Sequence, residues 1–323
     1  MKTRFARQLL LSPSSNVFFV FVGLVLLFTF FSKYRFIRVD NIEILLAEGC
    51  EFTIVALGVG LLMICGEFDL SVGSILVFCC FILAFLFWLG MNLLLASCIV
   101  LGVGAILGFL NGIITVKAGI PSFITTLGTM MFWRGITLLL SRGYQRPFTP
   151  KNPFFSSILT EKIFGTIPVQ AIWFVVIGIV LGLLLHHHRF GNWVYATGDN
   201  ELAAKAMGIN THKVKIICFM VVGILCALVS MIQLTRVSSF SSRVGQGWEL
   251  KAIAASVVGG TALMGGRGSM IGIFLGAVII SIIENGLVTL RIPYYWTYTV
   301  FGLVIVFSVL SSRYLERKRM AYR

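Results

Sequence analysis

Charged residues are scarce in this sequence, and the motif of a nucleotide-binding phosphate loop is absent. Asp, Glu, Lys and Arg make up 12% of 323 residues, about half of their share in soluble domains, and the mean hydropathy is +0.97. The pattern G-x-x-x-x-G-K-S/T does not occur, so this sequence does not bind a nucleotide in that way. The composition excludes an ordinary soluble domain and predicts a chain that lies mostly in lipid.

Paired cysteines and convergent polar sets are also lacking. The 7 cysteines lie mostly inside apolar runs, without metal-binding spacing, which favours a packing role. His186, His187 and His188 are consecutive, and consecutive helical residues point about 100° apart. An interfacial cluster is therefore favoured over a metal site. The spacing selects no Ser/His/Asp or Cys/His set, so neither a catalytic residue nor a metal site is predicted.

The long apolar runs predict about ten membrane-spanning segments, since a span needs roughly 20 apolar residues. The second, eighth and ninth are short or interrupted by glycine and polar residues, which is typical of a broken or re-entrant helix. The run 17–31 has no small-residue cleavage site after it, which favours a retained first span over a removable signal. The predicted segments are 16–32, 50–66, 72–89, 92–115, 121–140, 168–188, 213–235, 249–265, 269–290 and 294–312.

The net charge of +14 is concentrated near both ends, for example at Lys2, Arg4 and Arg317. Membrane topology and anionic lipid explain this pattern better than nucleic acid does. We therefore expect membrane lipid as a partner and no nucleic acid. Two basic ends favour a cytoplasmic location for both, and hence an even number of spans. That topology places the loop 189–212 in the cytoplasm and the loop 141–167 outside.

The loop 189–212 carries the sequence signals of a short helix. Asn200 is a favourable N-cap residue, Glu201 follows in the first turn, and Gly208 is a typical C-terminal stop. Such a helix at the membrane surface is a contact site for another protein. The alternative is an ordinary amphipathic loop helix that rests on lipid.

Ionisable residues inside apolar runs need a reason, because a charge at membrane depth costs about 3 kcal/mol. Two interpretations of GEFDLSVGS (66–74) remain. Either Asp69 or Ser71 caps the next helix, or the carboxylates of Glu67 and Asp69 lie on a substrate pathway. Glu284 and Asn285 face the bundle interior, a cavity or the outer interface.

Trp133 and Arg134 lie side by side in the fifth predicted span. The pair binds a polyhydroxylated ligand or anchors the helix at the membrane interface. The glycine-rich segments 102–112 and 257–269 favour close helix packing rather than phosphate binding.

Four segments, taken in order, resemble the permease subunit of bacterial ATP-binding-cassette importers for sugars of the ribose, xylose and galactose type. GEFDLSVGS is similar to the family's G-G-I-D-L-S-V-G-S, with Glu67 where the family commonly has glycine. The other segments match the family's P-x-F-I-x-T-L…R-G stretch, its cytoplasmic loop and its E-L-x-A-I-A-A…G-G-T stretch. They are PSFITTLGTMMFWRGIT (121–137), YATGDNELAAKAMGIN (195–210) and ELKAIAASVVGGTALMGGRGSMIGIFLGA (249–277).

The resemblance implies an inner-membrane subunit that works in pairs, either as two copies or with a homologous permease. It implies cytoplasmic ATPases that hold ATP and Mg and bind the 195–210 loop, with no cofactor in this chain. A periplasmic or lipid-anchored binding protein would deliver the sugar, and basic residues such as Arg142 and Arg146 in the outer loop are candidates for its docking. The residues expected at the ATPase contact are Gly198, Asn200, Glu201, Ala203, Ala204, Gly208 and Asn210.

We therefore expect an all-α polytopic membrane protein of about ten transmembrane helices, some short or broken, with a cytoplasmic coupling helix. Residues 1–323 are expected to form one permease domain that imports a monosaccharide or similar small polyol, and not an enzyme. The first rival is a proton-coupled secondary transporter that uses Glu67, Asp69 or Glu284. The second is a membrane enzyme or flippase, which would need a convergent polar set.

Overall fold

The computed structural model describes residues 13–150, 152–293, 295–297, 299–304, 306, 307 and 310. Helices account for most of them, and the strands are two residues long. The helices are α1 (Pro13–Phe31), α2 (Val39–Ile64), α3 (Val72–Trp88), α4 (Leu93–Lys117), α5 (Ser122–Ser141), α6 (Pro153–Leu159), α7 (Val169–His186), α8 (Arg189–Asp199), α9 (Glu201–Ala206), α10 (Thr211–Val237), α11 (Trp248–Val258) and α12 (Met270–Thr289). The strands are β1 (Arg146–Pro147), β2 (Lys162–Ile163), β3 (Ile167–Pro168) and β4 (Ser239–Phe240).

Six helices of the described residues are long and apolar enough to cross a membrane, namely α2, α4, α5, α7, α10 and α12. The apolar stretch of α1 and helix α3 are shorter. The predicted all-α polytopic fold is thus confirmed. The tenth predicted span, 294–312, falls partly outside the described residues, and those described within it are helical.

Two predicted spans have the wrong bounds. Helix α2 begins at Val39, eleven residues before the predicted start, because Asp40, Glu43 and Glu48 lower the hydropathy of its first turns without breaking the helix. Helix α11 has only 11 residues and is therefore about 16 Å long, too short to cross the bilayer. It ends at Val258 and is followed by Gly259 and Gly260, and Gly260 has a φ of +87°, which residues with a Cβ atom rarely adopt.

Helices α2 and α10 form the centre of the bundle, and their long buried runs contribute much of the apolar core. Helix α4 packs closely on α10 through glycines spaced four residues apart. A Cβ atom at Gly104 would lie 2.4 Å from the carbonyl oxygen of Gly223, and one at Gly108 would lie 2.2 Å from that of Phe219. The predicted role in helix packing is confirmed for Gly104, Gly108 and Gly112, since only glycine permits this approach.

Helices α2 and α10 run in opposite directions, and each is followed by a break, a non-helical segment that leads into a shorter helix. Helix α2 ends near α8 and is followed by a turn and α3, whereas α10 begins near α9 and is followed by the segment 238–247 and α11. The two breaks touch, because a Cβ atom at Gly73 would lie 2.2 Å from the carbonyl oxygen of Gly245. At the end of the bundle away from α8 and α9, β1 pairs with β4 and β2 pairs with β3.

Candidate coupling site

Two consecutive helices, α8 and α9, form the polar loop between α7 and α10. The Oδ1 atom of Asn200 accepts a hydrogen bond from the backbone N–H of Ala203 at 3.0 Å, so the predicted cap of α9 is present. Gly208 follows α9 with a φ of +83°, as expected for a C-terminal stop. Asn210 in turn caps α10 through the N–H of Lys213. The sequence interpretation missed α8, which runs over Arg189–Asp199.

Gly198 fixes α8 against the end of α2. A Cβ atom there would lie 2.0 Å from the carbonyl oxygen of Ile64 and 2.6 Å from the backbone nitrogen of Gly266. The N–H of Gly266 donates to the same Ile64 oxygen at 2.9 Å, and the Tyr195 hydroxyl donates to the carbonyl of Gly268 at 2.7 Å. Burial raises the pKa of Tyr195, so its hydroxyl stays a donor. Three backbone segments therefore meet at one point.

Lys215 links α9 to the turn that follows α2. Its Nζ atom lies 2.6 Å from a carboxylate oxygen of Glu67 and 2.6 Å from one of Glu201. The Glu201 carboxylate also pairs with Lys205 at 2.8 Å and accepts a hydrogen bond from Thr211. We call Glu67, Lys215 and Glu201 the ionic bridge.

The charge of Glu201 within the bridge is stable at physiological pH. Partial burial raises its pKa, but hydrogen bonds and charge attraction from Lys205 and Lys215 outweigh this, and the pKa falls to about 2. A carboxylate with a lowered pKa stabilises the fold at pH values above its unfolded pKa, and this contribution is lost as the pH falls toward 2. The bridge therefore does not respond to pH changes near neutrality through Glu201.

Two apolar side chains are exposed to solvent on α9 and at the residue that follows it. The side chain of Leu202 is 79% exposed and that of Met207 is 69% exposed. Ala203 is exposed as well, whereas Ala204 is buried against the bundle. Of the residues expected at a partner contact, Gly198, Ala204 and Asn210 make contacts within this chain, and Leu202 is the most exposed apolar side chain of α9.

The turn between α2 and α3 is held by hydrogen bonds to its backbone and to Asp69. The fully buried Asp69 carboxylate accepts from the N–H of Ser71 at 2.7 Å and from its hydroxyl at 2.6 Å. Asn111 of α4 donates to Ser71 Oγ at 2.8 Å. Ser71 occupies the N-cap position of α3, yet its side chain makes no cap bond, so a capping role for Ser71 itself was wrong. Asp69 organises the turn instead.

The remaining candidate residues have partners inside the bundle. Glu284 pairs with Lys251 at 2.6 Å, and Asn285 exchanges two hydrogen bonds with Asn41 of α2. The guanidinium of Arg134 donates to the carbonyl oxygens of Ser242 and Val244. It thereby supports the irregular segment before α11.

Trp133 and two histidines also have structural contacts. The Trp133 ring lies 4.9 Å from the ring of Phe78, and it therefore contributes to packing between α5 and α3. His188 caps α8 through the N–H of Phe190, and His186 accepts a bond from the N–H of Met270 at 3.4 Å. Among the described residues, no group of three or more His, Cys, Asp or Glu side chains is placed to hold a metal ion. Six of the 7 cysteines are buried, as their predicted packing role requires.

Sequence reasoning missed Lys215 and the two basic residues deeper in the bundle, Arg236 and Lys251. Each is a basic residue within or beside an apolar run, and each pairs with an acidic residue on another helix. The signal was present, because an isolated cation in a span requires a partner. Only the packing of the helices identifies that partner.

Comparisons with known proteins agree on one kind of membrane protein. A family model described as the permease component of the branched-chain amino acid transport system matches residues 41–309. The Ribose import permease protein RbsC of Haemophilus influenzae is 37% identical over 307 residues, which cover 93% of this chain and 94% of that protein. The Xylose/arabinose import permease protein XylH of Sulfolobus acidocaldarius is 34% identical over 306 residues, which cover 91% and 83%.

The name of a third relative refers to a different transported compound. The Autoinducer 2 import system permease protein LsrC of Yersinia enterocolitica is 36% identical over 254 residues, which cover 78% of this chain and 69% of that protein. No solved structure matches the chain significantly.

Proposed function

The chain belongs to this family of importer permeases, and from that premise we propose that it carries a monosaccharide or a similar small polyol into the cell. The membership confirms the resemblance that four sequence segments predicted. The protein is the transmembrane subunit of an ATP-binding-cassette importer and a multi-pass protein of the inner membrane. The observation that carries the choice of cargo is the set of relatives, whose names refer to ribose, xylose or arabinose, and autoinducer 2.

The ion pairs of the structure weigh against proton-coupled transport. Glu67 and Glu284 each pair with a lysine at 2.6 Å. Asp69 is enclosed by Ser71 and Asn111. A proton-carrying carboxylate must exchange its proton with water on each side in turn, and these contacts oppose that exchange.

The energy source in this proposal is a separate pair of ATPases that hold ATP and Mg and bind α9. Exposed Leu202 and Met207 give this surface the apolar, charge-poor character of an interface core. Behind them, Gly198 and the ionic bridge connect α8 and α9 rigidly to α2 and α10. A push on α9 is therefore transmitted to the centre of the bundle rather than absorbed by a flexible loop.

Uptake by proteoliposomes tests the proposal. The chain is reconstituted with its ATPase and binding protein. It is expected to accumulate labelled D-ribose, D-xylose or D-galactose only when ATP is present on the cytoplasmic side of the membrane. Dissipation of the proton gradient should leave uptake intact while ATP is maintained. Uptake by the chain alone, driven by a proton gradient, would contradict the proposal.

Leu202→Glu is expected to weaken ATPase binding at least about tenfold, because a charge replaces an apolar anchor at the centre of the contact. The measurement is the affinity of the purified chain for the ATPase in detergent. Phe164→Glu is the matched control, since Phe164 is 93% exposed at the opposite end of the molecule. Equal affinity of the two variants for the ATPase would show that α9 is not part of the contact.

The binding protein is proposed to dock on the outer loop 141–167. Arg142 is exposed there, whereas the guanidinium of Arg146 lies 5.0 Å from the centre of the Trp88 ring. Arg142→Glu is expected to reduce the stimulation of ATP hydrolysis by the loaded binding protein several-fold, because the introduced carboxylate repels acidic residues on the binding protein. The loss should shrink at high salt, where screening weakens the repulsion. Unchanged stimulation at low salt would exclude Arg142 from the docking surface.

A further inference from the structure

Helix α6 and the hairpin of β2 and β3 expose four large apolar side chains. Phe154 and Ile158 lie four residues apart, and therefore on one side of α6, and both are exposed. In the hairpin, Phe164 is 93% exposed and Ile167 is exposed as well. We call these four residues the outer apolar patch. Exposed apolar side chains gathered in this way mark a contact with a protein or with a membrane.

Phe164 holds a backbone conformation that is unusual for an aromatic residue. The N–H of Thr166 donates to the carbonyl oxygen of Ile163 at 3.3 Å and closes the turn. Within this turn, Phe164 and Gly165 have φ values of +53° and +75°. Asn, Asp and Gly are the usual residues at positive φ in hairpin turns, and a bulky residue is uncommon there. A strained position occupied against local preference points to a role beyond folding, and for an exposed ring that role is contact with an apolar partner.

Helix α2 fixes the depth of this hairpin in the membrane. Lys162 of β2 forms an ion pair with Glu43 of α2. Glu43 precedes Ile64 by about 31 Å of helix, and Ile64 lies against Gly198 of α8. The hydrocarbon core of a bilayer is about 30 Å thick, so the hairpin lies at the boundary of the core opposite to α8. A cytoplasmic α9 makes this the outer boundary.

Helix α7 places α6 at a similar depth and identifies the medium beside it. The indole N–H of Trp173 donates to the carbonyl oxygen of Ile158 at 2.9 Å, so α6 ends beside the outer part of α7. From this level toward the cytoplasm, α7 exposes an apolar residue every four positions, namely Ile172, Val176 and Val180. In a helix that spans a membrane, such an exposed apolar face contacts acyl chains. The outer apolar patch therefore continues a surface that faces lipid.

Polar groups of α6 find partners within the chain. The hydroxyl of Ser157 donates to the carbonyl oxygen of Phe154 at 2.9 Å. Asn152 caps the helix by accepting a hydrogen bond from the N–H of Phe155. Polar groups beside lipid must be satisfied by the protein itself, because water is scarce there. These groups therefore lose no hydrogen bonds when α6 lies against lipid.

We propose that α6 and the hairpin form an anchor in the outer leaflet of the membrane, where the outer apolar patch contacts phospholipid at the level of the headgroups. Aromatic side chains prefer this interfacial zone, and a helix with an apolar exposed side lies in its plane. The anchor holds the outer ends of α2 and α7 at a fixed height in the bilayer. The binding protein then docks on the part of the loop 141–167 before α6, where Arg142 is exposed.

A spin label at position 164 tests the anchor. The variant Phe164→Cys is made in a Cys98→Ser background, because Cys98 is exposed and the other native cysteines are buried. The labelled full chain, with its ATPase and without binding protein, is placed in liposomes of phosphatidylethanolamine and phosphatidylglycerol. Power-saturation measurements compare collisions of the label with oxygen, which concentrates in lipid, and with a water-soluble nickel chelate. The ratio of oxygen to nickel accessibility is expected to be several-fold higher at position 164 than for a label on Arg142→Cys, the matched control in the same loop.

A label on Phe154→Cys of α6 is expected to behave as the label at position 164 does. Co-purification with the ATPase and an unchanged melting temperature show that each variant is folded. Access of the nickel chelate at either position equal to that at position 142 would overturn the anchor, because the patch would then lie in water. Low access of both reagents would also overturn it and would assign the patch to a contact with a second copy of the chain. The result does not depend on the transported compound, so a failure to import sugar would leave it unaffected.

Discussion

Gly198→Val is expected to abolish ATP-driven uptake, and Gly198→Ala to reduce it severely. The new Cβ atom would lie 2.0 Å from the carbonyl oxygen of Ile64 and 2.6 Å from the backbone nitrogen of Gly266. Both neighbours are backbone atoms, so no side chain can rotate away, and α8 must move off the end of α2. Overpacking of this kind costs about 1–3 kcal/mol or more. The measurement is uptake by proteoliposomes together with affinity for the ATPase.

Gly102→Ala separates this clash from a general effect of replacing a helical glycine. No atom lies within 4 Å of a Cβ built at Gly102, and alanine favours the helix there. The control should fold and transport as the wild type does. Gly198→Ala with unchanged uptake and ATPase affinity would show that close contact between α8 and α2 is unnecessary for coupling.

Lys215→Met is expected to be the most damaging change to a charge on the cytoplasmic side. Methionine keeps much of the apolar stem but leaves the carboxylates of Glu67 and Glu201 close together without the cation between them. Both sides of the Lys215–Glu67 pair are largely shielded, with 13% and 11% of the side chains exposed. Removal of one partner from a buried pair costs about 3–5 kcal/mol. We expect a lower melting temperature and loss of uptake.

A second variant shows whether the bridge acts through its charges. In Glu67→Gln/Lys215→Met/Glu201→Gln the repulsion is gone, so most of the stability should return. ATP hydrolysis should then remain while uptake per ATP falls, because α9 is no longer tied to the turn after α2. Wild-type uptake per ATP by the triple variant would show that the ionic bridge stabilises the fold but does not take part in coupling. A Lys215→Met variant as stable as the wild type would show that the bridge does not stabilise the fold either.

Local signals in the sequence predicted the parts of the coupling site that depend on neighbours along the chain. The cap at Asn200 is one example, since its acceptor and the Ala203 donor are three residues apart. The stop at Gly208 is another, because it depends on one backbone conformation. Helix α8 escaped notice because Gly191 and Gly198 weaken its helical pattern, although close backbone contacts require both glycines.

Long-range contacts escaped prediction for a different reason. Arg236 and Glu51 are 185 residues apart in sequence, and no spacing rule connects them. Glu284 and Asp69 were correctly singled out as costly charges, but the sequence left their roles open between structure and pathway. The partners Lys251 and Asn111 became known only from the positions of the helices.

The sequence by itself determined the medium in which this protein lies, its helical class and its family, because apolar runs and four ordered motifs are properties of the chain read in one dimension. Only the tertiary structure decided which charges pair and where Gly198 meets α2. The physical reason is that helix formation and capping act over a few residues. Ion pairs and cavities form where helices distant in sequence are packed side by side.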